Sequence, residues 1–144
     1  MKLKGRKVSP GKAEGEAIVT RIPFSFLGEL DPATGKVPSP SHDLFGKSLK
    51  GKIFVCPTGK GSSIGPGIAY IAKKQGNIPK AFIVRNVEPV LAAAILLLGI
   101  PAVDQLDKDP LEVIETGDYV RLDADQGVVE VIKKEKDERA KNHG

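Results

Sequence analysis

Short apolar runs, separated by glycine and proline, divide the chain into alternating strands and helices. Runs such as KIFVC and KAFIV have the length and the apolar character of strands buried on both faces. Two longer stretches are long enough for helices, and the second ends at Gly99 shortly before a proline. In chain order, the sequence predicts a strand at residues 13–21, a strand at 52–56, a helix at 64–75, a strand at 80–84, a helix at 88–98 and a short strand beginning with Ala102 and Val103.

The last part of the chain predicts a β-hairpin. Residues 118–122 and 128–132 alternate apolar and polar positions, and the turn DADQG between them closes at Gly127. The central alternation of strands and helices implies parallel strands joined by right-handed crossovers, whereas the flanking N- and C-terminal strands suit a second, antiparallel layer. The pattern therefore predicts an α/β fold built as a three-layer β/β/α sandwich.

The length of 144 residues fits one domain with an ordinary hydrophobic core. We place this domain at residues 1–132 and expect residues 133–144 to form a flexible charged tail. The tail holds five basic and three acidic residues and so contributes half of the formal net charge of +4. The small positive charge of the remaining body gives no indication of a nucleic-acid partner.

Composition excludes several classes of function. Two tyrosines and no tryptophan argue against a stacking surface for nucleic acid. The longest apolar run, residues 90–98, is about half of the roughly 20 residues that a membrane-spanning helix needs, so we expect a core helix and no membrane contact. The single cysteine, Cys56, cannot form an internal disulfide, and the chain starts without an apolar segment, which favours a cytoplasmic location.

The segment with the clearest indication of a binding or catalytic site is CPTGKGSSIGPG, residues 56–67, between a predicted strand and a predicted helix. Its glycines allow backbone amides to approach a ligand, and the start of the helix favours an anion. The spacing does not fit a phosphate-binding P-loop, because Lys60 precedes Gly61, and it does not fit the G-x-S-x-G nucleophile elbow. From the pattern alone, Ser62 or Ser63 caps the helix or presents a hydroxyl to a ligand.

Four segments together resemble the small subunit of aconitase X, in the aconitase superfamily. They are SFLGELDPATG (25–35), the GKGSS turn, AFIVRNVEP (81–89) and GIPAVD (99–104), and the resemblance extends from about residue 11 to 132. It implies a swivelling domain and a two-subunit cytoplasmic hydro-lyase that is active only with a large subunit. In archaeal members, the implied reaction removes water from mevalonate 5-phosphate, a small phosphorylated carboxylate, to give trans-anhydromevalonate 5-phosphate for isoprenoid synthesis.

The resemblance also implies a 4Fe-4S cluster that is held by the large subunit. A cluster of this type takes three or four thiolates, and Cys56 alone cannot supply them. Burial as a small apolar strand residue is the simpler role for Cys56. His42 and His143 lack the spacing of metal ligands, and we expect them to be loop and tail residues. No cofactor is therefore expected on this chain, and the partner's iron is expected to act on the departing hydroxyl.

By resemblance, Ser62 is the general base of the reaction. A serine hydroxyl is a poor base until its alkoxide is stabilised, and a helix N-terminus with Lys60 nearby would supply positive potential. Substrate contacts are expected from Lys60, Gly61 and Ser63. Asp31, in the long loop of residues 23–46, is expected to act as a lid or substrate contact, or to form a plain turn, and Glu29 stands where the family pattern has a glycine.

One departure from the superfamily pattern concerns the residues after the paired serines. True aconitases have Arg-Glu-His there, and the arginine holds a substrate carboxylate, whereas this chain has Ile64, Gly65 and Pro66. This difference argues against a tricarboxylate substrate. Arg85, at the carboxyl end of a predicted central strand, is expected either to contact an anion or to form a surface salt bridge.

Alternative functions remain open at this point. A related aconitase X dehydratase could act on another hydroxy acid such as cis-3-hydroxyproline. A non-catalytic ligand-binding module is another alternative. A phosphocarrier would need a phosphorylatable histidine at the turn, and residues 56–67 contain none. A plain interaction protein would lack a stoichiometric large partner.

Overall fold

The computed structural model describes residues 1–61 and 64–134. It confirms the six elements predicted in the middle of the chain and the C-terminal hairpin, with boundaries that shift by a few residues. In order, the elements are β1 (Lys2–Lys4), β2 (Arg6–Ser9), β3 (Lys12–Val19), α1 (Phe26–Glu29), β4 (Ile53–Cys56), α2 (Gly65–Lys74), β5 (Ala81–Val84), α3 (Pro89–Leu98), β6 (Ala102–Asp104), α4 (Pro110–Val113), β7 (Tyr119–Asp123) and β8 (Val128–Ile132).

Eight strands form one mixed sheet in the order β1-β8-β7-β3-β4-β5-β6-β2. Strands β3, β4, β5 and β6 pair in parallel, as crossover helices require. The β7–β8 hairpin is antiparallel and pairs with β3 on one side and β1 on the other. The first half of β3 pairs with β7 and its second half with β4, so this one strand passes from the antiparallel part to the parallel part.

Two apolar clusters lie on opposite faces of the parallel strands. On the helical face, Phe24, Phe26, Phe54 and Phe82 pack edge to face or tilted, with ring centroids 4.8–6.2 Å apart. The other cluster joins residues of β4 and β5, such as Ile53, to residues of the β7–β8 hairpin. Helices, parallel strands and antiparallel strands therefore form three layers, which confirms the predicted β/β/α sandwich.

The N-terminal strands β1 and β2 were not predicted, because KLKGRKVS carries many lysines and no long apolar run. They form the two edges of the sheet, with only Gly5 between them, and lysine-rich edges resist pairing with other chains. The Gly5 N–H donates to the Gly127 carbonyl at 2.8 Å, and a Cβ on Gly5 would lie 2.5 Å from the Asp104 carbonyl oxygen. The segment thus crosses tightly from one layer to the other.

The long loop of residues 23–46 packs on the helical face and is not a passive linker. Its apolar side chains Leu30, Val37 and Leu44 are buried there. Within it, the short α1 is irregular, because Leu27 and Gly28 have non-helical backbone angles and Gly28 has φ +75°. Its polar side chains are therefore placed by packing rather than by helical geometry.

The predicted core helix at residues 88–98 is buried on only one side. The helix α3 forms as predicted and ends at Gly99 in the left-handed conformation. Leu96 and Leu97, however, are 56% and 47% exposed on its outer face. Within residues 1–61 and 64–134, no helix combines the length and apolar character needed to span a membrane.

Of the predicted tail, the structure describes Lys133 and Lys134, and both bond to Asp118. Lys133 Nζ donates to Asp118 Oδ2 at 2.7 Å, and the Lys134 N–H donates to Asp118 Oδ1 at 3.0 Å. Residues 135–144 lie outside the described part, so the flexible tail and the domain boundary at residue 132 stay predictions.

Candidate functional site

The glycine-rich turn lies at the carboxyl edge of the parallel strands. It follows β4, and its backbone is tied to the long loop: the Phe24 N–H donates to the Thr58 carbonyl at 2.9 Å, and the Lys60 N–H donates to the Phe24 carbonyl at 3.1 Å. Gly61 has φ +74°, a conformation that favours glycine, and is exposed. The carboxyl edge is where ligands usually bind in α/β sheets.

Two of the predicted site residues, Ser62 and Ser63, lie outside the described residues. The general-base role of Ser62, the substrate contact of Ser63 and the capping alternative for either serine therefore stay predictions. The helix α2 begins at Gly65 with Ile64 as its N-cap, and Ile64 makes no side-chain capping bond. Gly61 and Ile64, on either side of the serines, are both exposed.

A buried carboxylate, Glu29, lies beside the turn. Its Oε2 accepts a hydrogen bond from Lys60 Nζ, and its Oε1 accepts one from the Ser25 N–H at 3.3 Å. Oε1 also lies 3.5 Å from His42 Nε2. The Glu29 side chain is 10% exposed, that of His42 3% and that of Lys60 42%, so Lys60 joins a buried pair to the surface of the turn.

His42 is fixed by the loop around it. Its Nδ1 accepts a hydrogen bond from the Leu44 N–H at 3.0 Å and lies 3.0 Å from Asp43 Oδ1. Asp43 in turn accepts hydrogen bonds from the Thr20 hydroxyl at 2.7 Å and the Arg21 N–H at 2.9 Å. A continuous polar chain therefore runs from the end of β3 to Lys60.

A polar cavity of about 200 Å³ lies next to this chain. The residues that line it are Ile22, Leu27, Gly28, Glu29, Ser39, Ser41, His42 and Lys60. Its walls include one cation, one carboxylate, one imidazole and two hydroxyls, so it can accept hydrogen bonds and donate them. A larger groove, on the outer face of the antiparallel strands, is lined by residues that include the salt-bridged Arg121 and Glu14.

A second carboxylate, Glu88, contacts the turn from the other side. It caps α3, where its two oxygens accept hydrogen bonds from the Val90 N–H at 2.9 Å and the Leu91 N–H at 2.5 Å. A Cβ on Gly59 would overlap Glu88 Oε1 and would lie 2.7 Å from Leu91 Cβ. Gly59 therefore allows the turn to lie directly against the start of α3.

Arg85 forms a salt bridge rather than an open anion contact. It makes two hydrogen bonds to the Asp109 carboxylate, at 2.9 and 3.2 Å, and Asp109 also caps α4. Burial opposes ionisation of Asp109, but the bonds from Arg85 and the Leu111 N–H outweigh it and hold the pKa of that carboxyl below its usual range. Of the two predicted roles for Arg85, the salt bridge is the one that its contacts show.

Asp31 begins a local turn at the other edge of the sheet. Its Oδ1 accepts a hydrogen bond from the Ala33 N–H at 2.9 Å, and its carbonyl accepts one from the Gly35 N–H at 2.7 Å. Gly35 packs against Lys50 and Asn77, which precede β4 and β5. Within the described residues, none of the hydrogen bonds of Asp31 reaches the glycine-rich turn.

Cys56 is fully buried at the end of β4. Burial, and to a smaller extent the negative charge of Glu29, raises the pKa of its thiol above the usual range. The described residues contain no group of three or more side chains that could hold a metal ion. The residues present thus do not fit an iron-sulfur cluster.

Sequence reasoning missed Glu29 and His42 as site residues. Glu29 gave one signal, because it stands where the family pattern has a glycine. His42 gave none, since its contacts to Glu29 and Leu44 depend on how the loop folds. Of the predicted residues, the structure brings Lys60 and Gly61 together at the turn.

Comparison with known proteins finds relatives over nearly the whole chain. The family described as "Aconitase X swivel domain" matches residues 2–131. Proteins named phosphomevalonate dehydratase small subunit are 49% identical over 133 residues in Thermococcus kodakarensis and 47% over 133 in Methanosarcina acetivorans. These alignments cover 92% of this chain and 98% and 92% of the relatives. The crystal structure of Thermococcus kodakaraensis aconitase X (holo-form) matches with a TM-score of 0.86 at 47% identity, covering 92% of this chain and 99% of that one.

Proposed function

Since the chain belongs to the aconitase X swivel-domain family, we propose that it is the small subunit of a phosphomevalonate dehydratase. This enzyme is a hydro-lyase that removes water from mevalonate 5-phosphate to give trans-anhydromevalonate 5-phosphate. The observation that carries the proposal is the extent of the similarity, because relatives of that name match 92% of the chain at 47–49% identity. The organisms of these relatives also support an archaeal source and a place in the mevalonate route to isoprenoids.

In this proposal, Ser62 is the general base that takes a proton from the carbon next to the substrate carboxylate. The geometry around the position supports the role, because the turn lies at the carboxyl edge of the sheet and leads into the ten-residue helix α2. The free amides of the first helical turn and the Lys60 ammonium favour the alkoxide form of Ser62, which is the form that can accept this proton. Lys60, Gly61 and Ser63 contact the substrate in this proposal. The contacts of Arg85 and Asp31 do not support a role of these two residues in substrate binding.

The partner in this proposal is a large subunit that carries the 4Fe-4S cluster and forms a heterodimer with this chain. Two features support a partner. The only cysteine of the chain is buried and cannot ligate a cluster, and α3 exposes Leu96 and Leu97 on a helix without a polar residue. A free cysteine is also compatible with a reducing cytoplasm, where we place the complex.

The test is reconstitution of the complex from separately produced small and large subunits. We expect dehydration of mevalonate 5-phosphate by the wild-type pair, and a fall in kcat of at least about 100-fold with Ser62→Ala, because a general base contributes about 10²- to 10⁴-fold. Ser63→Ala is the matched control and should keep most of the activity. Near-normal turnover by the Ser62→Ala complex would remove the general-base role.

A substrate comparison on the same complex separates the two dehydratase readings. We expect turnover of mevalonate 5-phosphate and none of cis-3-hydroxyproline. The reverse result would replace the substrate while keeping the reaction class. A small subunit that forms no complex with the large one would instead favour a non-catalytic module.

A further inference from the structure

The Glu29 carboxylate is the centre of a buried polar cluster that no part of the proposed reaction yet uses. One oxygen is bound to Lys60 and the other faces His42 at 3.5 Å, with the Ser25 N–H as a further donor at 3.3 Å. Burying a carboxylate costs several kcal/mol unless charged or hydrogen-bonding partners compensate it. Glu29 therefore needs Lys60, and in return it determines where the ammonium group lies.

His42 holds the far side of the carboxylate. Its Nδ1 lies 3.0 Å from both the Leu44 nitrogen and Asp43 Oδ1, so the opposite ring nitrogen, Nε2, faces Glu29. The geometry at 3.5 Å is short of a full hydrogen bond, and within the described part of the chain Nε2 has no other partner. This almost fully buried, incompletely bonded imidazole is aimed into the cluster, where it restrains Glu29 without saturating it.

Lys60 is held at two points by the same segment. Its backbone N–H bonds to the Phe24 carbonyl at 3.1 Å, and its side chain bonds to Glu29, five residues further along the loop. A free lysine side chain loses up to about 2 kcal/mol of rotamer entropy when it is ordered. Because Glu29 already orders the Lys60 side chain before the reaction, this entropy cost is not added to the activation free energy.

We propose that Glu29 is a positioning residue of the dehydration, which holds the Lys60 ammonium beside the serine-bearing turn, and that His42 fixes the orientation of Glu29. The inference rests on the proposed function, because it assigns Lys60 the task of stabilising the alkoxide form of the general base at this turn. Glu29 and His42 do not touch the substrate in this scheme; they act through Lys60.

A double-mutant cycle in the reconstituted complex tests the coupling. Glu29→Gln is expected to lower kcat roughly 10- to 100-fold while KM changes less than about threefold, because a misplaced catalytic group costs up to about 100-fold. Lys60→Met, which also removes a proposed substrate contact, is expected to lower kcat by at least as much. The double variant should be no slower than the slower single variant, since both changes remove the same contact. His42→Phe should lower kcat by less, and only when Glu29 is present.

Two further variants distinguish a positioning role of Glu29 from a purely structural role. Lys60→Arg keeps the charge and can still reach Glu29, so it should recover part of the lost kcat. Glu14→Gln removes an exposed glutamate that pairs with Arg121 on the antiparallel strands, and it should leave kcat and KM unchanged. Multiplicative losses in the double variant, or a raised KM with kcat unchanged, would overturn the proposal.

A spectroscopic measurement tests the cluster without any substrate. The chain has two histidines, His42 and His143, so ¹⁵N-histidine labelling of the small subunit within the complex gives two imidazole signals, and His143→Gln assigns them. We expect the His42 signals to shift in both Glu29→Gln and Lys60→Met. If the wild-type complex fails to turn over mevalonate 5-phosphate, the proposed substrate is wrong. Independently of that result, an unchanged His42 signal in both variants would contradict the proposed coupling of Glu29, Lys60 and His42.

Discussion

Two buried carboxylates, Glu29 and Asp118, lie in different layers of the fold and differ in how completely they are bonded. Asp118 has no exposed surface and accepts hydrogen bonds from Lys133 Nζ and from the N–H groups of Glu115 and Lys134, at 2.7–3.0 Å. Burial works against its ionisation, but these donors outweigh it and lower the pKa of the carboxyl. Glu29 has Lys60, one long backbone bond and an imidazole at 3.5 Å.

The difference indicates what each cluster does. A saturated polar network fixes one structure, and Asp118 joins the hairpin to the end of the described chain. The cluster of Glu29, Lys60 and His42 is incompletely bonded and borders a cavity beside the glycine-rich turn. Polar atoms that lack some of their hydrogen bonds beside a cavity can still bind a ligand, or can form shorter hydrogen bonds when the complex assembles. Such atoms are typical of functional sites.

The largest expected effect is on the saturated cluster. Asp118→Ala removes the acceptor of three hydrogen bonds, and at about 1 kcal/mol for each we expect the free energy of unfolding of the purified chain to fall by about 3 kcal/mol. Urea denaturation followed by circular dichroism measures this. Glu115→Ala is the control, because it removes an exposed carboxylate from the same Lys133 and should cost less than about 0.5 kcal/mol.

The turn should be fixed by steric fit more than by polar bonds. Gly59→Ala places a Cβ against the Glu88 carboxylate, which cannot rotate without losing its two bonds to α3, so we expect a loss of about 2 kcal/mol in the free energy of unfolding. Gly67→Ala points into open space on α2 and should raise stability by about 0.5–1 kcal/mol. Equal effects from the two variants, measured by urea denaturation, would show that the turn is loosely packed.

The pH dependence of stability should separate Asp118 from its amide variant. Because its pKa is lowered in the folded state, its charge stabilises the fold above the unfolded pKa of about 4, and this contribution is lost as pH falls through the folded pKa. The stability difference between wild type and Asp118→Asn should therefore be constant from pH 7 to about 5 and shrink below about 4. Urea denaturation at pH 7, 5, 4 and 3 measures it, and a constant difference down to pH 3 would contradict the saturated network.

Much of the fold could be predicted from the sequence, because apolar runs and glycine-proline punctuation are local signals. The central strands, both long helices and the hairpin with Gly127 follow from such signals, and Gly127 has the expected positive φ of +68°. The strands β1 and β2 could not be predicted, because each is short and is defined by pairing with residues that are far away in the sequence, such as Lys2 with Glu130 and Arg6 with Asp104.

The candidate site was predictable only where its residues adjoin the turn in sequence. Lys60 and Gly61 are next to the serines, and the structure places them at the carboxyl edge. Arg85 was placed correctly at a strand end, but its partner Asp109 lies 24 residues further along and shows no pattern that indicates pairing. Contacts between Glu29 and His42 arise from loop packing, for which periodicity gives no signal.

A small effect on stability is expected at Glu29, and measuring it would sharpen the comparison most. Glu29→Gln keeps the shape of the side chain and an oxygen for the Ser25 N–H, while the half-exposed Lys60 can return to water, so we expect less than about 1 kcal/mol of lost stability. The same variant is expected to lower turnover of the complex. Urea denaturation of Glu29→Gln and Asp118→Ala side by side measures the contrast. A loss near 3 kcal/mol at Glu29, equal to that expected at Asp118, would show that both carboxylates mainly stabilise the fold.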